Sequence, residues 1–259
     1  MVRPAYRKRF GQHHLVSVDL CRPLFEFLQP ADWPVVEIGP GGGVLTGGLL
    51  DAGARVLALE VDLDWAAYLR CRLPAAQLVA MDALAFPWGR LREPTLVAGN
   101  LPFNVGTRII GDLLVAASAR PDLLPRLGFM VQKEVADRLT AAPGDGAYGA
   151  LSVLVAASAR ARRLGNVAPG SFRPPPKVAA AFVGLEPRPA PLDAADMVAF
   201  RSTVHLAFGQ RRKTLRNALA AGVGRGRAEA ALTTAGIDPR RRAETVDLEG
   251  FLALHAALG

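Results

Sequence analysis

The first two-thirds of the chain alternates short apolar runs with longer stretches of helical period, the pattern of βαβ units on a parallel sheet. Runs at 35–38, 55–60, 78–81, 95–99 and 127–131 read as strands, bounded by Gly, Pro, Asp, Asn or Gln. The spacing predicts helices over 44–52, stopped by Gly53, and over 63–72, ended by Pro74. Another helix is expected over 133–140, broken by Pro143-Gly144-Asp145-Gly146. Residues 151–162 are so apolar that strand and helix both stay open. A stiff loop, 172–177, precedes a strand over 178–185. Past a proline-bearing linker at 187–191 the texture turns helical throughout, at 197–208, 213–221, 228–235 and 248–258. The expectation is an α/β domain over residues 1–187 and a small all-helical domain over 188–259.

Each early strand delivers a polar residue or a glycine at its C-terminal end, the edge where open α/β sheets bind ligands. Glu37-Ile38-Gly39-Pro40-Gly41-Gly42-Gly43 is a glycine-rich turn between a strand and a helix. Its bare backbone admits close approach, and the helix start offers free N–H groups. The dinucleotide fingerprint G-x-G-x-x-G would need its third glycine at Val44, so that reading fails. An acidic residue two positions before G-x-G-x-G is the form used by S-adenosylmethionine-dependent methyltransferases. A tight turn without a ligand is the alternative. Glu60 ends the second strand, where a carboxylate can accept both hydroxyls of a ribose. Asp82 ends the third and can accept from an adenine amine.

Asn100-Leu101-Pro102-Phe103 is the sharpest feature. It resembles the [Asn/Asp]-Pro-Pro-[Tyr/Phe] motif of enzymes that methylate exocyclic amines of bases. In-line transfer requires the nitrogen lone pair to face the methyl carbon. An Asn100 oxygen and a backbone carbonyl near Leu101 and Pro102 can accept the two N–H bonds and aim that lone pair. The amine proton can leave after the methyl arrives, so no base has to act first. Phe103 offers a ring on which a flipped base stacks, worth roughly 1–3 kcal/mol.

Composition narrows the classes. With 51% hydrophobic residues over 259 positions, the chain can bury a core and is not disordered. Its longest apolar stretch, at 151–159, is too short for a bilayer. The basic residues before position 10 lack the apolar run of a signal peptide. Cys21 and Cys71 make neither a disulfide framework nor a metal site, so no metal is expected, and a soluble, cytoplasmic protein is. Net charge is +8, yet only four of 31 basic residues are lysines: Lys8, Lys133, Lys177 and Lys213. The arginine excess reads as composition bias, whereas the position of the lysines carries more information.

Seven ordered blocks make the chain similar to a known family. They lie at 8–12, 37–41, 100–103, 132–135, 147–149, 172–178 and 210–217, and they hold all four lysines. The chain resembles the KsgA group of small-subunit rRNA adenine N6-dimethyltransferases, relatives of the Erm methyltransferases. The resemblance implies a class I, Rossmann-like methyltransferase fold using S-adenosylmethionine. Its substrate would be two adjacent adenines near the 3′ end of 16S rRNA in the small ribosomal subunit. By position, His13, Leu15, Gly39, Gly41, Glu60, Asp82 and Asn100 would bind the cofactor, and Asn100, Leu101, Pro102 and Phe103 would form the catalytic loop. Arg7, Lys8, Arg9, Lys177, Arg211, Arg212 and Lys213 would track RNA phosphates. Arg240, Arg241 and Arg242 either do the same or cap a solvated helix end. Tyr148 and Phe172 either line the adenine pocket or pack in the core.

Two positions depart from the family. Gln12-His13-His14-Leu15 stands where Gln-Asn-Phe-Leu is usual. His13 either makes cofactor binding pH-sensitive or points outward, and outward is the favoured expectation. Phe103 replaces the commoner Tyr and keeps the stacking face. A monomer is expected. The alternatives are an Erm-type enzyme of 23S rRNA, an assembly factor with reduced catalysis, and a small-molecule methyltransferase.

Overall fold

The computed structural model describes residues 3–7, 11–210 and 212–259. The chain begins with β1 (His14–Leu15), α1 (Arg22–Leu28), β2 (Pro34–Ile38), α2 (Val44–Asp51), β3 (Arg55–Glu60), α3 (Leu63–Arg72) and β4 (Gln77–Ala80). It continues through β5 (Leu96–Asn100), α4 (Gly106–Ala119), β6 (Leu127–Gln132), α5 (Lys133–Thr140) and α6 (Ala150–Ser158). Next come β7 (Ala159–Val167), β8 (Phe172–Arg173) and β9 (Ala180–Pro187). Four helices close the chain: α7 (Ala194–Phe208), α8 (Leu215–Val223), α9 (Arg225–Thr234) and α10 (Leu248–Leu258).

Seven strands form one sheet in the order β4-β3-β2-β5-β6-β9-β7, and β1 pairs with β8 apart from it. The first five strands of that order are parallel, as the alternating pattern predicted. The sheet as a whole is mixed, because the two strands at its other edge depart from the parallel pattern. β9 runs antiparallel to both β6 and β7. The physical reason is the link between β7 and β9, residues 168–179, which holds only a single 3-10 turn (Pro169–Ser171) and the two-residue β8, and no α-helix to carry the chain across a sheet face.

The central strands are buried on both faces, which explains their nearly unbroken apolar runs. Val97, Leu127, Phe129 and Val131 face one core with Ile109, Leu113 and Val153 of the covering helices. Leu96, Ala98 and Met130 face the other, against Leu24, Leu28, Leu45 and Leu49. The first core runs on without a break into Phe200, Leu219, Leu232 and Phe251 of the C-terminal helices.

The stretch at 151–162, open in sequence, is a helix followed directly by a strand: α6 ends at Ser158 and β7 starts at Ala159. Helices α1 and α4 were not predicted, although Ile109, Ile110, Leu113, Leu114 and Ala117 form a buried stripe of helical spacing.

Candidate active site

Parallel pairing brings the ends of β2, β3 and β5 side by side, with Ile38 opposite both Leu59 and Gly99. The turn after β2 needs its glycines: Gly39, Gly41 and Gly43 all have positive φ, at 68°, 50° and 81°. A Cβ on Gly41 would lie 2.6 Å from His14 Nε2. The turn is pinned from the neighbouring strand, since Gly41 N donates to Glu60 Oε2 at 3.0 Å. Asp62 N donates to Glu60 Oε1 at 2.9 Å. Burial pushes the Glu60 pKa up and these two amides pull it back. Each of its oxygens keeps a lone pair for a further donor. Asp82 accepts Leu84 N at 2.9 Å through Oδ1, which leaves Oδ2 for a ligand.

Glu37 lies beneath the turn, fully buried, with Oε2 unpartnered among the described residues. Burial raises its pKa to about 8; the Thr46 hydroxyl opposes the shift and the Glu60 charge adds to it. It is therefore held protonated at neutral pH, a carboxylic acid rather than a carboxylate.

Asn100 closes the cleft at the end of β5. Its Nδ2 donates to the His13 carbonyl at 2.7 Å, which forces the amide to present Oδ1 as the free acceptor. The next residues divide the backbone acceptors. The Pro102 carbonyl takes Gly106 N at 2.9 Å at the start of α4, and no described N–H reaches the Leu101 carbonyl. Asn100 Oδ1 and Leu101 O thus remain as two acceptors beside the Phe103 ring.

The far wall is the N-terminal strap. Gly11, Gln12, His13 and His14 line the cleft with Gly39, Gly41, Glu60, Asp82 and 100–103. Gln12 Nε2 donates to Asp62 at 3.0 Å, and the Arg7 guanidinium pairs with Asp62 and Asp64. His14 is buried edge-on against Trp65, 4.4 Å between ring centroids, and beside Tyr6. Burial lowers its pKa to about 4, with the Arg3 and His13 charges in support and Asp62 opposed, so its ring is neutral.

A profile of the family described as ribosomal RNA adenine dimethylase matches residues 4–258. The chain belongs to this family. It is 44% identical over 254 residues to the Ribosomal RNA small subunit methyltransferase A of Phenylobacterium zucineum, covering 96% of this chain and 86% of that protein. It is 42% identical to the protein of the same name in Bordetella bronchiseptica, covering 97% and 94%. Among solved structures, a dimethyladenosine transferase from Plasmodium falciparum shares the fold at a TM-score of 0.71 and 22% identity, covering 93% of this chain and 96% of that one. The 23S rRNA methyltransferase ErmE matches at a TM-score of 0.61 and 27% identity, covering 98% of each chain.

In this dimethylase family member the cleft brings together His13, Gly39, Gly41, Glu60, Asp82 and Asn100 to Phe103. Leu15 lines the adjoining recess with His14, Gly39 and Asn100, its side chain buried and its backbone paired with Phe172 across β1 and β8. His13 does not point outward, because Pro174 O holds its Nδ1 at 2.8 Å and its ring lies 5.5 Å from that of Phe103. Tyr148 and Phe172 take their core alternative. Tyr148 donates its hydroxyl to Val246 O at 3.0 Å, and Phe172 is fully buried. Arg7 is engaged by the two aspartates, while Lys177, Arg212 and Lys213 are exposed without side-chain partners among the described residues. Lys8, Arg9 and Arg211 lie outside the described residues. Arg241 bonds Thr245 and Arg242 pairs with Glu244, as a capped turn would have them. Sequence reading gave no role to Gln12 or Asp62, whose signal was contact between distant segments. No described helix is long and apolar enough to cross a membrane, and no three described His, Cys, Asp or Glu side chains cluster as a metal site.

Proposed function

We propose that this cleft binds S-adenosylmethionine and methylates N6 of adenine in small-subunit rRNA. The target would be the two adjacent adenines near the 3′ end of 16S rRNA that the family resemblance implies. The observation that carries the reading is the pair of free acceptors, Asn100 Oδ1 and Leu101 O, at the end of a cleft with the features of a nucleoside site.

The residues fit the cofactor. Gly39 and Gly41 leave the turn bare, and a Cβ on Gly41 would crowd His14; Glu60 can accept the ribose hydroxyls, and Asp82 Oδ2 can accept the adenine amine. When bound, the cofactor supplies an electrophilic methyl group on a sulfonium. Asn100 Oδ1 and Leu101 O accept the two hydrogens of the target N6 and so turn its lone pair toward the cleft. Phe103 holds the base in plane. Exposed Lys177, Arg212 and Lys213 supply phosphate contacts on the rim and on residues 188–259, read as the RNA-facing module. The protein would act as a cytoplasmic monomer.

The small-subunit assignment draws support from relatives above 40% identity that carry that name, against 27% for the 23S enzyme. The test offers purified protein and labelled S-adenosylmethionine to ribosomal subunits from cells lacking the modification. Label in 16S rRNA, recovered as N6,N6-dimethyladenosine, is the expected outcome. Transfer to 23S rRNA sinks the assignment, and binding without transfer favours an assembly factor.

A further inference from the structure

His13 sits at the cleft in a geometry that decides which of its nitrogens carries hydrogen. Its Nδ1 lies 2.8 Å from Pro174 O. A carbonyl only accepts, so Nδ1 is the donor, and in the neutral ring Nε2 holds the lone pair. Nε2 has no partner among the described residues, and the side chain lines the cleft beside Phe103. The His13 carbonyl also anchors Asn100 Nδ2, so the imidazole and the acceptor that aims the amine are fixed to each other through one residue.

We propose that His13 Nε2 receives the proton that the adenine N6 gives up in methyl transfer. The inference rests on reading the cleft as the site of N6 methylation. N6 uses its lone pair to form the new N–C bond, and the electron pair of the breaking C–S bond departs with sulfur. N6 is then cationic. One of its N–H bonds returns its electron pair to nitrogen and its proton passes to Nε2. The imidazolium, still donating Nδ1–H to Pro174 O, releases the proton to solvent at the cleft mouth. Dimethylation removes two protons from the same nitrogen, so the base is used twice.

Other groups near the cleft are less suited. Glu37 is buried beneath the turn, both Glu60 oxygens accept backbone amides, and the Asn100 amide is not basic. The charged and titratable groups around His13 are His14 beside it, Arg173 and Lys177 on the opposed segment, and Glu60, Asp62 and Asp82 on the strap-facing and floor sides. Asn is the residue the family usually carries at this position, so the role is particular to chains with a histidine here.

The test compares wild type with His13→Asn, which restores the family residue and should fold. For wild type, kcat on small subunits is expected to rise tenfold per pH unit on the acid side and then reach a plateau. His13→Asn is expected to lose that limb and to be slower on the plateau by about tenfold to a hundredfold, with both KM values nearly unchanged. Independently of turnover, 15N NMR of histidine-labelled, cofactor-free protein should give the Nδ1–H tautomer for the one signal that His13→Asn removes. An Nε2–H tautomer, or an acid limb preserved in His13→Asn, overturns the inference alone. A wild type that methylates no rRNA overturns the reading of the cleft and this inference with it.

Discussion

Asn100 Nδ2 is tied to His13 O, which leaves free the Oδ1 that the proposed transfer uses. Asn100→Ala is therefore expected to cut kcat by about a hundred- to a thousandfold, the cost of deleting one preorganised polar contact at a reacting centre. RNA affinity, read by filter binding, should hold, because phosphate contacts lie elsewhere; equal loss of both would mean a damaged fold. Two buried groups set a pH dependence of stability. Glu37 titrates near 4.5 unfolded and about 8 folded, so stability falls as pH rises between those values, by about 1.4 kcal/mol per unit. His14 titrates near 6.5 unfolded and about 4 folded, so stability falls as pH drops through that window. The slopes oppose one another between about pH 4.5 and 6.5, which leaves a net fall from 6.5 to 8. Melting curves of cofactor-free Glu37→Gln should lack that fall; parallel Tm profiles for variant and wild type would refute it. At this scale the sequence carried Glu37, Glu60, Asp82 and Asn100 through their places at strand ends. It favoured an outward His13, because the Pro174 carbonyl that holds the ring lies 161 positions away.

Strands and their glycine stops were legible because burial on both faces writes itself as short apolar runs. Helix α4 carried a readable stripe that went unused, while α6 and β7 merged because no Gly or Pro separates Ser158 from Ala159. β1 and β8 were invisible, being two residues each and defined only by pairing. The glycine turn gives the sharpest test among the elements. Gly41→Ala puts a Cβ at a φ of 50° and 2.6 Å from the His14 ring. The strain and clash together should cost about 2–3 kcal/mol of stability and weaken cofactor binding measurably by calorimetry. Gly47→Ala, in the adjoining helix where nothing lies within 4 Å, is the control expected to leave both intact.

For the molecule as a whole, charge matters by location more than by sum. Many arginines are spoken for inside the fold, as Arg7, Arg163 and Arg201 are by aspartates. Lys177, Arg212 and Lys213, exposed and without side-chain partners among the described residues, are the ones that the proposed function gives to RNA. Replacing all three with Ala should lower the slope of log K against log salt by about 2–3, since each phosphate contact contributes about 0.7–0.9. An unchanged slope would place the RNA on another surface. The N-terminal strap has a consequence of a different kind, in the order of synthesis. The cleft needs Gln12 on Asp62, His13 on Asn100 and His13 on Pro174, closures that span from 50 to 161 positions. Gln12 and His13 are thus made well before the partners that they wait for. The catalytic cleft has no complete nascent form, and a chain arrested before residue 174 carries the cofactor motifs without a finished wall to hold them.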